Sequence, residues 1–383
     1  MPLSFQASTS PPTRLPPGVK RSFIGSPQGP LELLSALPEA SKARGTPLFL
    51  VHGGFGCAAV WLEYMTLLSA APYNIPCYAM SLRADDIVTG VKHVEEIHQQ
   101  ERGPECKVVL VAHSNGGGLA QLALNDGDIG VSKLALLDST PPFGLFGVYW
   151  NWLKADPWFP IRVYWHLLHP RSPLSSSNLV KNAFFCDEYP IERVSAFEKL
   201  MSTFESLIWP SSMMSRFVSV KKILQHVSVY LDRPAVLIMA AEKSRLMGVP
   251  MMRSMADEYA VGVRDILLQQ GEDASSSQVA QAVSFEVVSG VGHHLQNDLN
   301  WREGAEKLAK FYQGNTVYDH EILRERSQGV QKYSTMLCTF LPEHFLFFWW
   351  LQADYDRILK GATKPMLRER FLRRPRDACC NAP

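Results

Sequence analysis

The sequence predicts an α/β protein with a doubly wound, mostly parallel sheet and an inserted helical segment. Short apolar runs alternate with segments whose apolar residues recur every three or four positions, a pattern typical of strands alternating with helices. One long interval, between Asp138 and Arg233, breaks this alternation, since it is crowded with aromatic residues and interrupted by prolines. We therefore expect a sheet covered by helices on both faces, with the interval inserted between two of its strands.

The predicted elements of the first half follow closely on one another. Residues 21–37 indicate two strands joined by a Pro-Gly turn, and "TPLFLVHGGFG" (Thr46–Gly56) is an apolar strand that ends in glycines. A helix over 61–71, a buried strand over 75–82 and an amphipathic helix over 85–100 come next.

The stretch "KVVLVAHSNGGGLAQLAL" contains the sharpest change of pattern. An apolar strand over 108–111 gives way to a helical pattern after Gly116, with no residues left for an ordinary loop. A strand that becomes a helix so abruptly must strain the residue at the corner, which is Ser114. Four more elements follow: strands over 132–138, 233–241 and 284–290, with a helix over 249–260 before the last of them. A final helix is expected over 301–312.

Two compatible interpretations apply to the inserted interval. It is a small helical subdomain with its own core, or a lid whose inner aromatic face forms an apolar substrate pocket. The predicted division of the chain is a disordered leader (1–19), a core in two parts (20–138 and 233–315), the helical aromatic-rich lid (139–232) and a C-terminal extension (316–383).

Composition excludes several classes of function. The net charge of +1 gives no global reason to expect nucleic acid as a partner. Seven scattered cysteines without a CxxC pair indicate neither a zinc site nor a disulfide framework, so we expect a reducing, cytoplasmic location and neither metal nor cofactor. The N-terminus lacks the apolar region of a signal peptide, and no apolar run reaches the roughly 18 residues of a spanning helix.

Together these features resemble the α/β-hydrolase fold superfamily, over about residues 20 to 315. The turn Ala112-His113-Ser114-Asn115-Gly116 is similar to that family's nucleophile elbow, small-x-Ser-x-Gly, and lies between a strand and a helix as the elbow does. The resemblance implies that Ser114 is a nucleophile. A strand–helix turn with an idle serine is the alternative.

Two further loops resemble the family's catalytic loops. Gly292-His293-His294 follows the last predicted strand, which implies His293 as the base and His294 as a neighbour that seats the loop. His52-Gly53-Gly54 resembles the loop that binds the oxyanion, and the implied donors are the backbone N–H groups of Gly54 and Asn115. Polar loop histidines and a simple glycine-rich turn are the corresponding alternatives.

The triad acid departs from the family pattern. Ser244 stands where an aspartate is expected after the strand that follows the lid. Asp138, at the end of the strand after the nucleophile helix, is slightly favoured, with Glu242 as the alternative acid. Asp138 as the cap of a turn before Pro141-Pro142 is equally open. The loop after Arg83 is also shorter than in the family, which implies a widened site, a damaged one or a chain altered by splicing.

The resemblance implies a serine hydrolase that cleaves an ester-type bond of a hydrophobic small molecule, similar to esterase-like hydrolases of fungal secondary-metabolite pathways. The alternatives are a catalytically impaired homologue that acts as a binding protein, and a thioesterase, lactonase or acyltransferase with the same nucleophile. The C-terminal extension pairs an aromatic stretch with a basic one, so it would contact a membrane surface weakly, pack on the core or meet a second copy. The chain ends in Asn-Ala-Pro, which matches no peroxisomal tripeptide, and the oligomeric state is not predicted.

Overall fold

The computed structural model describes residues 14–314, with gaps at 27–28, 40–44, 83–85, 104–105, 168, 203–204, 206–209, 211, 230–232, 270, 272–278 and 280–281. The predictions for the first residues of the leader, for the loop after Arg83 and for the C-terminal extension fall outside this part of the chain.

An eight-stranded sheet forms the centre of the protein, in the order β1-β2-β4-β3-β5-β6-β7-β8. The first strand pairs antiparallel with β2, and β2 pairs antiparallel with β4, whereas all remaining pairs are parallel. The predicted mostly parallel sheet is therefore confirmed. The strands are β1 (Val19–Ile24), β2 (Leu31–Ala36), β3 (Leu48–Val51), β4 (Cys77–Met80), β5 (Val109–His113), β6 (Lys133–Leu137), β7 (Val236–Ala241) and β8 (Val283–Val288).

Parallel pairing brings the carboxyl ends of the central strands to one edge of the sheet. The last residues of β5 and β6, His113 and Leu137, are directly paired, and Leu137 pairs in turn with Met239 of β7. Every residue of β3, β5 and β7 is buried, as expected for strands covered on both faces. Residues that follow these strands thus lie side by side, at the edge where open α/β sheets place their ligands.

Helices surround this sheet. Between the strands of the first half lie α1 (Leu62–Ser69), α2 (Ile87–Arg102) and α3 (Ser114–Asn125). The interval between β6 and β7 contains α4 (Phe146–Ala155), α5 (Phe159–Trp165), α6 (Ser177–Phe184), α7 (Ile191–Glu198) and α8 (Val220–Leu224). The last two are α9 (Val249–Gln269) and α10 (Trp301–Gln313), and short 3₁₀ turns lie at Ala58–Trp61 and Ser172–Leu174.

The helix α9 is longer than its predicted range of 249–260. Its apolar face continues through Val263 and Ile266, which are buried against the core. Gly262, which weakens a helical pattern in the sequence, is required by packing, because a Cβ there would lie 2.8 Å from a methyl carbon of Val220. The glycine therefore marks a close contact between α9 and α8, and not the end of the helix.

The insertion between β6 and β7 is helical, as expected, and its aromatic residues face two ways. Trp152 stacks on Phe159 at 5.0 Å between ring centroids, whereas Trp158, Tyr164 and Trp165 are exposed. The proposed domain boundaries stay a prediction. Within the described part of the chain, no helix has both the length and the apolar character needed to span a bilayer.

Candidate active site

Ser114 lies at a strained corner between β5 and α3. Its φ is +52°, in the left-handed region that non-glycine residues seldom adopt. Small residues make this corner possible, since a Cβ on Gly116 would lie 2.1 Å from the carbonyl oxygen of His52, and one on Gly117 would lie 1.5 Å from the Ser139 hydroxyl. The carbonyl of Ser114 is held by the Thr140 N–H at 3.1 Å. The predicted strain at the serine is therefore present, with its hydroxyl at the carboxyl edge of the sheet.

A continuous hydrogen-bonded chain joins Ser114, His293 and Asp138. The Ser114 Oγ lies 2.8 Å from Nε2 of His293, and Nδ1 of His293 lies 2.6 Å from Oδ2 of Asp138. A carboxylate only accepts, so Nδ1 carries the ring proton and Nε2 is free to accept from the serine hydroxyl. All three side chains are buried. This is the tautomer in which the imidazole can take a proton from serine.

The Asp138 carboxylate is held from β7 as well. Ser244 Oγ donates to Oδ2 at 2.6 Å, and the Ala241 N–H approaches Oδ1 at 3.3 Å. Ser244, which stands where the family pattern has an acid, thus hydrogen-bonds the aspartate that contacts His293. Glu242 lies elsewhere, with its carboxylate accepting from the Gly290 N–H at 2.6 Å. The structure therefore brings Asp138, and not Glu242, to His293.

The loop after β3 lies directly against the serine. A Cβ on Gly53 would lie 2.7 Å from the Ser114 Cβ, so only glycine fits there. Nδ1 of His52 donates to the Gly53 carbonyl at 2.7 Å, and its Nε2 accepts from the Leu82 N–H at 2.9 Å. Because C=O and N–H point in opposite directions across a trans peptide, this bond directs the Gly54 N–H away from His52.

Asn115 supplies the second predicted donor. It is the second residue of α3, where a backbone N–H has no acceptor within the helix. Its side-chain Oδ1 accepts from Thr140 Oγ1 at 3.2 Å, which fixes the amide beside Gly54. Gly54, Asn115, Ser114 and His293 line the same cavity. The predicted oxyanion donors are thus placed together with the serine and the histidine.

Two more buried histidines surround His293. Nε2 of His113 donates to the His293 carbonyl at 2.9 Å, and the His113 ring lies 4.9 Å from the His293 ring and 4.8 Å from that of His294. Burial lowers the pKa of His113 and of His294 well below the usual range, and the neighbouring imidazoles lower both further. Both rings therefore stay neutral and add no positive charge beside His293.

Asp298 is a residue of the site that the sequence did not single out. Its buried carboxylate accepts from the backbone N–H groups of Gly292 (2.7 Å), Leu299 (2.6 Å) and Cys186 (2.8 Å). It thereby ties the loop of His293 to the insertion. Burial and the same carboxylate raise the pKa of the Cys186 thiol to about 12, so this cysteine is no nucleophile. The only sequence signal for Asp298 was its place as an acidic residue a few positions after Gly292-His293.

The cavity beside Ser114 has a volume of about 50 Å³ and walls that are mostly apolar. The core contributes Phe55, Leu246 and Met247, and the insertion contributes Leu145, Val148, Tyr149, Trp152 and Phe184. Within the described residues there is no group of three or more His, Cys, Asp or Glu side chains suited to a metal ion.

Comparison with known proteins identifies the family. The model of the alpha/beta hydrolase family matches residues 48–310, which is more than half of the chain. No curated protein sequence matches the chain. Similar solved structures include a carboxylesterase from Bacillus subtilis, with 14% identity and a TM-score of 0.47 over 76% of this chain and 91% of that chain. Another is a thermophilic esterase from Thermogutta terrifontis, with 15% identity and a TM-score of 0.49 over 78% of this chain and 100% of that chain. A third is a putative lipase from Acinetobacter baumannii, with 17% identity and a TM-score of 0.47 over 78% of this chain and 93% of that chain.

Likeness to solved structures at this level carries no argument about the reaction. The family match, in contrast, covers strands β3 to β8 and the loops that hold Ser114, His293 and Gly54. The chain belongs to the alpha/beta hydrolase family, and the prediction of a hydrolase enzyme is confirmed at the level of that family.

Proposed function

We propose that the protein is a serine hydrolase that cleaves an ester bond of a hydrophobic small molecule through an acyl-enzyme. The single observation that carries this proposal is the chain of hydrogen bonds Ser114–His293–Asp138, with distances of 2.8 and 2.6 Å. In it Ser114 is the nucleophile, His293 the general base and Asp138 the acid that holds the histidine tautomer.

The reaction follows from the tautomer. Ser114 Oγ attacks the ester carbonyl carbon while its proton passes to Nε2 of His293, which gives a tetrahedral oxyanion. The imidazolium then donates that proton to the ester oxygen as the C–O bond breaks, and the alcohol leaves. A water molecule, deprotonated by Nε2, attacks the acyl carbon. As the second oxyanion collapses and the bond to Oγ breaks, Nε2 returns that proton to Oγ, which releases the acid and restores the Ser114 hydroxyl.

The oxyanion would be bound by the backbone N–H groups of Gly54 and Asn115. Both lie at the cavity with Ser114, and fixed backbone donors need no reorganisation when the charge develops. The neutral His113 and His294 support His293 as the general base, because a second positive charge beside His293 would oppose its protonation.

The apolar cavity favours a hydrophobic acyl group. Its volume of about 50 Å³ accommodates roughly three to five water-sized groups, which corresponds to a short acyl chain. Helix α4 forms one wall through Val148, Tyr149 and Trp152, and we propose that the insertion acts as a lid over this cavity. A role in the biosynthesis of a polyketide-like secondary metabolite remains our hypothesis for the physiological substrate.

Labelling with a fluorophosphonate tests the proposal. The probe phosphonylates an activated serine, so we expect labelling of the wild-type protein and none of Ser114→Ala. Ser254→Ala is a matched control, because Ser254 is exposed on α9 and bonds only the Pro250 carbonyl in the described structure. Folded wild-type protein that resists the probe would contradict the proposal and favour the alternative of a binding protein.

A further inference from the structure

The turn that carries the proposed oxyanion donor holds a strained residue. Gly56 N–H donates to the Gly53 carbonyl at 3.2 Å, which closes a four-residue turn over Gly53–Gly56. Phe55, the third residue of this turn, has a φ of +60°. A turn with positive φ at its third position is of type II and normally has glycine there. Phe55 is therefore held in a backbone conformation that its side chain disfavours.

The insertion contacts the Phe55 backbone on both sides. The Glu205 carboxylate accepts from the Phe55 N–H, with Oε2 2.7 Å from the nitrogen, and the Ser202 N–H donates to the Phe55 carbonyl at 2.8 Å. A bond from a backbone N–H to a carboxylate is charge-assisted and stronger than one between neutral groups. These two bonds offset the strain at Phe55.

The loop has little room to change shape elsewhere. A Cβ on Gly54 would lie 3.1 Å from Nδ2 of Asn115 and 3.8 Å from Oε2 of Glu205, so Gly54 lies between the Asn115 side chain and the Glu205 carboxylate. If the acceptor is lost, the peptide between Gly54 and Phe55 can rotate and relieve the positive φ. That rotation would turn the Gly54 carbonyl and the Phe55 N–H, and a compensating shift of the Gly53–Gly54 peptide would then displace the Gly54 N–H at the cavity that Gly54 and Phe55 line.

We propose that Glu205 is a positioning residue of the insertion that holds the Gly53–Gly56 turn, and with it the Gly54 N–H, in the form that binds the oxyanion. This inference rests on the proposed function, since it assigns the insertion a part in the reaction of Ser114. The group that matters is a hydrogen-bond acceptor opposite the Phe55 N–H.

Two substitutions of Glu205 separate the acceptor from the charge. Glu205→Ala removes the acceptor, and displacement of an oxyanion donor lowers kcat by about 10- to 100-fold. Glu205→Gln keeps an oxygen acceptor of the same reach, so its kcat stays within about fivefold of wild type. The substrate is p-nitrophenyl butyrate, and the concentration of active sites is measured by titration with the fluorophosphonate. A Glu205→Gln variant as slow as Glu205→Ala would overturn the proposal.

Phe55→Gly supplies the second arm. Glycine adopts a φ of +60° without strain, so the turn no longer depends on the hydrogen bond to Glu205. We expect Glu205→Ala to lower kcat by less than about threefold in the Phe55→Gly background, a non-additivity that general destabilisation would not produce. An equal loss in both backgrounds, or no loss in either, would overturn the proposal. Failure of the proposed function is distinguishable, because the wild-type protein would then neither be labelled nor turn over the ester.

Discussion

Replacement of Asp138 by asparagine should reverse the tautomer of His293. The Ala241 N–H is directed at Oδ1 of Asp138, so the asparagine amide is expected to keep its oxygen there and to place Nδ2 where Oδ2 now lies. That NH₂ group would donate to Nδ1 of His293, across the present 2.6 Å contact. Nδ1 then becomes the acceptor and Nε2 carries the proton, so Nε2 cannot take the proton of Ser114.

The magnitude follows from the loss of the base. A triad with the wrong tautomer loses about 10⁴ in kcat, equivalent to about 5.5 kcal/mol of transition-state stabilisation. The effect should appear in kcat with p-nitrophenyl butyrate, with little change in KM, because Asp138 is not among the residues that line the cavity.

Glu242→Gln is the matched control for this prediction. Its carboxylate bonds the Gly290 N–H and has no described contact with His293, so we expect kcat within a few-fold of wild type. The reasoning would be refuted by an Asp138→Asn variant within tenfold of wild type, or by a larger loss in Glu242→Gln. Circular dichroism spectra of both variants establish that they are folded.

Three other predictions follow from the same structure. Trp152→Ala enlarges the cavity, so the ratio of kcat/KM for p-nitrophenyl hexanoate over butyrate should rise about tenfold; an unchanged ratio would place the acyl chain elsewhere. The pKa values of His113 and His294 are lowered on folding, so below pH 6.5 the unfolded chain binds more protons than the native protein. The free energy of unfolding should thus fall as the pH drops from 6.5, by up to about 1.4 kcal/mol per pH unit for each histidine, in urea titrations; a flat profile would contradict this. Gly116→Ala should cost about 1–3 kcal/mol or more, because its Cβ would lie 2.1 Å from a backbone carbonyl oxygen, whereas Gly25→Ala, with open space around it, should be near neutral in the same titration.

Local sequence was enough to predict the elements that carry Ser114 and His293. Each follows a short apolar run, in a motif whose small residues allow close packing. Gly116 is an example, because a Cβ there would lie 2.1 Å from the His52 carbonyl oxygen. The helix predicted over 249–260 extends to Gln269 in the structure, because packing against α8 tolerates Gly262 and continues the helix through it. Helix propensity describes the isolated chain, whereas Gly262 is explained by its close contact with the neighbouring helix α8.

The acid could not be decided from sequence for a different reason. Parallel pairing of β6 with β7 brings the carboxyl ends of both strands together, so Asp138 and the residues near Ser244 all reach the same region. Which carboxylate faces the histidine depends on the backbone, and Asp138 has a φ of +39° at that point. Neither the positive φ nor the bond from Ser244 has a signature in the local sequence. Glu205 and Phe55, 150 positions apart, are equally invisible to local patterns.

The contacts of the insertion with the site argue that it does more than cover the cavity. The Phe184 carbonyl, at the end of α6, accepts from the His294 N–H at 2.7 Å, and the Cys186 N–H reaches the same Asp298 carboxylate that holds Gly292. These bonds hold the loop of His293 from the insertion side, as we propose that Glu205 holds the Gly53–Gly56 turn. Any opening that admits substrate must keep the bonds of α6 if His293 is to stay in place. If the insertion opens as proposed, we expect the motion in helix α4, which lines the cavity, and in helix α5, which exposes aromatic side chains, because neither carries the bonds that hold the loop of His293.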